Sequence, residues 1–185
     1  MLKNRSLFLV MSGLIVVILV CSTLLYNEQN RAYSSKGTLE SITGTSLYEV
    51  WHGYTTILED KDKPLTLNSI NDLYTTISVV EAYSRTVDTA VHAELLSPIA
   101  KNMKVITERL QKSYGAQGGF TEADQTSLSM ILTKAELLLD LLSEVYYVPE
   151  HHEGAKITLD IHKNDEYRQI IELNKGLKQF IDSTK

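Results

Sequence analysis

The stretch INDLYTTISVVEAYSRTVDTAV, Ile70 to Val91, decides how the chain is read. Ile70, Leu73, Ile77, Val80, Val87 and Val91 stand three, four or seven residues apart, with Ser84 at the one missing step. That spacing stacks side chains along one face of an α-helix and makes a seam that must pack against other helices. A seam of this length predicts a bundle or coiled coil, whose neighbouring segments must offer matching faces.

Upstream, Leu39, Ile42, Leu47, Val50, Tyr54 and Ile57 recur at close to helical spacing and predict a preceding helix with one buried face. Gly37, Gly44 and Gly53 lie within it. Each weakens an isolated helix by up to ~1 kcal/mol relative to Ala, so this helix leans on tertiary contacts. The charged run Glu59-Asp60-Lys61-Asp62-Lys63-Pro64 should end it.

Downstream, Ser97-Pro98 reads as an N-cap and a first-turn proline before the apolar row Ile99, Met103, Ile106 and Leu110. The apolar phase from Val91 through Leu95 to Ile99 is unbroken, which favours a kink at Pro98 over a reversal. Gly115-Ala116-Gln117-Gly118-Gly119 reads as a flexible connection. Thr121 then caps a helix whose first turn carries Glu122 and Asp124. The continuation SLSMILTKAELLLDLLSEVYYV, Ser127 to Val148, confines its polar face to Ser129, Thr133, Glu136, Asp140 and Glu144. So narrow a stripe predicts a central helix, with any uncovered surface serving as a docking face. A last helix follows Asn164-Asp165 and carries Tyr167, Ile170, Ile171, Leu173, Leu177, Phe180 and Ile181. The fold class expected is all-α, an antiparallel four- to five-helix bundle.

One segment departs from helical spacing. In KITLDIH, Lys156 to His162, Ile157, Leu159 and Ile161 alternate with polar residues, which is strand geometry. A lone strand needs a partner, and Leu65-Thr66-Leu67 offers the other short alternation, so a two-stranded ribbon of 65–67 with 157–161 is expected. The ribbon requires both connections at one pole of the bundle. A kink at Pro98 puts them there; a reversal separates them.

Ahead of the bundle stands LFLVMSGLIVVILVCSTLLY, Leu7 to Tyr26, without a charged residue. As a helix it would span ~30 Å, the thickness of the hydrocarbon layer. No A-x-A-like cleavage pattern follows in CSTLLYNEQNRAYSS, so an uncleaved signal anchor is favoured over a signal peptide. The expected organisation is a short cytoplasmic head, 1–6, a single transmembrane span, 7–26, and an extracytoplasmic bundle, 27–185. Lys3, Arg5 and the amino terminus precede the span, while Arg31 and Lys36 follow it beside Glu28, so the bias towards an inside amino terminus is modest.

The formal net charge is −5, and no basic stripe interrupts the acidic balance. That argues against nucleic acid, whose backbone needs clustered Lys and Arg. The single cysteine, Cys21, falls in the expected span, so no disulfide can staple the outer domain. Beyond Asn4-Arg5-Ser6 the chain has no N-x-S/T acceptor, which fits a bacterial cell-envelope protein.

The stretch VPEHHEG, Val148 to Gly154, is the first candidate for chemistry. His151 and His152, joined by His162, are the candidate metal ligands, for a weak surface zinc site. Bundle metal centres need histidines and carboxylates at helical spacing on facing helices. Here Glu49-Val50-Trp51-His52 is the sole E-x-x-H, and His162 with Glu166 the sole H-x-x-x-E. The favoured reading of VPEHHEG is a polar turn, with no metal, no cofactor and no catalytic residue expected. Nucleophile elbows and phosphate-cradling loops are absent from the sequence.

The ten tyrosines are chiefly expected in core and boundary positions. Tyr48, Trp51, Tyr146 and Tyr147 are singled out as an interaction patch, because Tyr and Trp favour interface centres. The function expected is therefore that of a membrane-anchored bundle acting through another envelope protein or through self-association. The alternative is an extracytoplasmic sensor that binds a ligand and signals through a partner. In architecture alone, a tethered four-helix bundle behind a first span resembles the ligand-binding modules of bacterial chemoreceptors. No second span follows Phe180 before Lys185, where those receptors carry one. A metal-binding bundle enzyme ranks third.

Overall fold

The structure, a computed structural model, describes Ser22 and residues 33–147, 157–161 and 163–184. It divides into two compact units, Met1–Leu39 and Glu40–Lys185. In the first, Ser22 and residues 33–39 are helical. The expected span 7–26 lies outside the described residues apart from Ser22, and among the described residues no helix is long and apolar enough to cross a membrane. VPEHHEG, with His151 and His152, and His162 also lie outside them.

The second unit is all-helical: α1 (40–59, the part in this unit of a helix that runs 33–59), α2 (Leu67–Ala90), α3 (Leu96–Gln117), α4 (Glu122–Tyr146) and α5 (Asp165–Ser183). Five helices resolve the expected four or five. Cross-helix pairs give their directions. Asn71 meets Gln111 and Glu81 meets Lys104, so numbers rise on α2 as they fall on α3, and the pair is antiparallel. Asn102 meets Asn174 at 2.7 Å, and Arg109 reaches the Ile181 carbonyl at 2.7 Å, so α3 and α5 are parallel, two steps apart in an up-and-down order. The seam of α2 is buried along its length, Ser84 included. It faces Leu47, Val50, Tyr54 and Ile57 of α1 and the Ile99, Met103, Ile106, Leu110 row of α3 within one core. Ile42, expected on the buried face of α1, is 50% exposed.

The kink expected at Pro98 is a reversal. α2 ends in a Schellman motif: the Ala93 amide donates to the Asp88 carbonyl at 3.1 Å and the His92 amide to the Thr89 carbonyl at 3.4 Å. His92 takes the left-handed position, φ 53°, usually filled by Gly. Five residues then turn the chain, Val91 to Leu95, before α3 begins. Ser97 is not the cap, since no side chain caps α3 from its own N-cap position. The cap comes from α2, where the Asp88 carboxylate accepts from the amides of Leu95, Leu96 and Ser97.

The reversal also removes the ribbon of 65–67 with 157–161. Residues 60–66 join α1 to α2 at one pole, while Ile157 packs beside Gly44, near the start of α1, at the other. Locally, Thr66 is the N-cap of α2: its hydroxyl accepts from the Ser69 amide at 3.1 Å, and Ser69 Oγ accepts from the Thr66 amide at 2.9 Å. This capping box draws Thr66 and Leu67 into the helix. Ile157 instead forms an isolated antiparallel bridge with Tyr147, and the Thr158 amide donates to the Tyr146 carbonyl at 2.9 Å. Among the described residues there is no strand longer than that bridge.

The α3–α4 connection is shorter than the glycine run suggests, because Gly115, Ala116 and Gln117 remain helical. Gly118 ends α3 at φ 69°, a conformation that costs glycine nothing. Thr121 caps α4 as expected, with Asp124 returning to the Thr121 amide at 2.8 Å and receiving the Ser113 hydroxyl at 2.8 Å. The expected polar stripe of α4, Ser129 to Glu144, is exposed throughout.

Candidate functional site

In the second unit, the exposed aromatic side chains Tyr48 and Trp51 stand on the outer face of α1. With Leu47, Val50, Tyr54 and Ile57 turned inward, helical geometry turns Tyr48, Trp51 and His52 outward. Tyr48 is 56% and Trp51 43% exposed. The Tyr48 and His52 rings, one helical turn apart, stack with centroids 6.1 Å apart and planes 9° apart. His52 belongs to the E-x-x-H step, and its ring lies along an aromatic neighbour. The group offers flat, amphipathic rings on a rigid helix, which suits a protein contact.

The other two aromatics singled out from sequence lie elsewhere. Tyr146 is 0% exposed, a core residue, and burial pushes its phenol up, with Asp88 and then Tyr167 adding to the effect. Tyr147 is half-buried at the bridge to Ile157, and burial raises its phenol too. Tyr48 and Trp51 therefore share one exposed face, and Tyr146 does not join them.

Two charged arrangements escaped the sequence reading. Glu81 is buried on α2 between Arg85, with which it pairs, and Lys104 of α3 at 3.2 Å. Burial alone would raise the Glu81 carboxyl, but the hydrogen-bonded Lys104 and Arg85 outweigh it and hold it below the usual value. Lys104 also lies 5.4 Å from the Tyr74 ring centre, a cation–π distance. Asp88 is the second, at the head of α3. Both acids flank the seam of α2, one helical step to either side of Ser84, and polar residues set beside an apolar seam were the signal that could have found them.

A pocket of about 50 Å³ lies where the α1–α2 turn meets α4. Ile57, Ile70, Leu73, Leu128 and Leu132 make it apolar, and Asp60, Lys61, Lys63 and Asp72 give it ionic walls. Lys63 is already held by Asp60 at 2.6 Å. Among the described residues no three His, Cys, Asp or Glu side chains are grouped to hold a metal ion.

The fold and surface thus define an up-and-down five-helix bundle with an aromatic outer helix. No family model, no curated protein and no solved structure matches the chain.

Proposed function

We propose that the chain is a single-pass, membrane-anchored protein whose extracytoplasmic bundle works through protein–protein contact, as a structural or regulatory part of a cell-envelope assembly. The observation that carries this reading is the pairing of exposed Tyr48 and Trp51 on α1 of an otherwise well-filled bundle. The uncharged stretch Leu7 to Tyr26 supports the anchor. The acidic charge supports a protein partner, or a second copy, over nucleic acid.

Site-specific photo-crosslinking of the full-length chain in its membrane tests the contact. A photo-reactive residue at 48 or 51 is expected to give one discrete adduct. The same probe at exposed Lys101 is expected to give none. Serine at both 48 and 51 should weaken the contact by more than about tenfold, the scale of losing interface anchors. A smear equal to that from position 101 rejects α1 as the contact face.

A second reading, a ligand-binding sensor that signals through a partner, draws on the pocket between the α1–α2 turn and α4. Its volume admits a small aliphatic group more readily than a drug-sized molecule. Ligand-dependent melting that Leu128→Trp abolishes would favour this reading.

A further inference from the structure

Tyr54 Oη, Ser84 Oγ and Tyr146 Oη are buried hydroxyl oxygens with no hydrogen-bond partner among the described residues. They come from three helices, α1, α2 and α4, and each residue is 0% exposed. A hydroxyl kept from water without a partner is costly, and native cores rarely keep several.

Helix register and side-chain lean direct the three toward the end of the core where α2 and α4 finish. Gly53 of α1 packs on Val80 of α2, with the helices antiparallel. Side chains on a helix lean toward its N-terminus, so the Tyr54 ring reaches along α2 past Val80 toward Ser84. Tyr146 closes α4 at the pole where α2 finishes, and its ring leans back into the bundle. The charge of Asp88, one turn beyond Ser84, acts on both phenols.

We propose that this end of the core holds an internal hydration site, in which ordered water bridges the hydroxyls of Tyr54, Ser84 and Tyr146. Each hydroxyl can both donate and accept, and a buried water typically makes about three hydrogen bonds. A metal ion suits the site poorly, because its carboxylate, Asp88, is already taken up by the amides of Leu95, Leu96 and Ser97. Asp88 also lines the open groove beside the α2–α3 turn, with Thr89 and His92, which gives water a short way in.

The test uses the full-length protein and three conservative variants, Tyr54→Phe, Ser84→Ala and Tyr146→Phe, singly and in pairs. If water bridges these groups, each single variant lowers the folding equilibrium constant about fivefold, the scale of one net hydrogen bond. The Tyr54→Phe/Tyr146→Phe pair should lose less than the product of the two, since both hydroxyls share the same water. Magnetic-resonance transfer from long-lived water to the Tyr54 and Tyr146 rings should be present in the parent and absent from the pair. Single variants of unchanged or raised stability, or rings that receive no transfer from water, overturn the proposal.

Discussion

Asp88 on α2 accepts the Leu96 amide of α3 at 3.0 Å, so the last turn of one helix caps the first turn of the next. The same carboxylate takes the Leu95 amide at 3.1 Å and the Ser97 amide at 2.8 Å. A helix start leaves amides unsatisfied, and a negative charge there also meets the positive end of the helix dipole. Asp88→Ala should therefore cost about 3 kcal/mol, more than an ordinary cap, since the amides of Leu95 and Leu96 are buried with their residues. Asp88→Asn keeps one acceptor oxygen and should lose roughly half as much. Urea unfolding of the three proteins checks the order; equal stability of Asp88→Ala and the parent would remove Asp88 from this role.

Gly53 is fixed by a neighbour. A Cβ at this position would run into Cγ2 of Val80, a buried and β-branched side chain that cannot rotate clear. Gly53→Ala gains up to ~1 kcal/mol of helix propensity but should lose about 1–3 kcal/mol to overpacking, and the loss wins. Gly115, also helical, has open space around it, so Gly115→Ala should raise stability by about 0.5–1 kcal/mol. Opposite shifts in melting temperature for the two changes are the expected result.

His92 holds a left-handed backbone at φ 53° to close α2. Its place is set by the Ala93 and His92 amide bonds of the Schellman motif. Glycine enters this region without steric cost, whereas a β-branched residue fits it worst. Stability should fall in the order His92→Gly, parent, His92→Val. The gain for glycine is about 0.5 kcal/mol after its greater unfolded-chain freedom is counted, and the loss for valine is above about 1 kcal/mol. Denaturant midpoints decide it, and a valine variant as stable as the parent contradicts the strain argument.

The same turn explains what could be read from sequence. Helix faces were legible because burial repeats: the α2 seam, the polar stripe of α4 and the Ile170, Leu173, Leu177 face of α5 appear where spacing put them. Thr121 was legible because a capping box is local. The α2–α3 reversal was not, since the stop residue is His92 rather than Gly and the cap lies up to nine residues back, at Asp88. An unbroken apolar phase from Val91 through Leu95 to Ile99 then suggested continuity, although these three residues are buried in the reversal as well. The ribbon failed with it, because its geometry assumed the kink. Of the aromatic residues, Tyr48 and Trp51 lay off the buried stripe of α1. Tyr146 instead continues the buried Leu138, Leu142 spacing of α4, a sign of a core position that its residue type outweighed.

Glu81 should leave a mark on the acid limb of the stability curve. Its ordinary value is 4.5; burial works to raise it, and the Lys104 and Arg85 cations more than offset that and set it lower in the folded state. A carboxyl lowered by folding contributes stability in full above its unfolded value, and the contribution disappears as pH falls through the folded one. Glu81→Gln removes the charge but keeps the shape, leaving Lys104 facing a neutral amide. It should cost about 2 kcal/mol at pH 7, the scale of a hydrogen bond to a charged group. The gap to the parent should stay constant down to about pH 5, then narrow through the carboxylate range, so that the variant has the flatter curve. Added salt should reduce the gap only slightly, because the Glu81 and Lys104 side chains are 9% and 26% exposed and screening acts weakly there. Urea midpoints measured from pH 7 to pH 3 check each part, and a gap that does not change with pH would show that Glu81 acts by packing and not by charge.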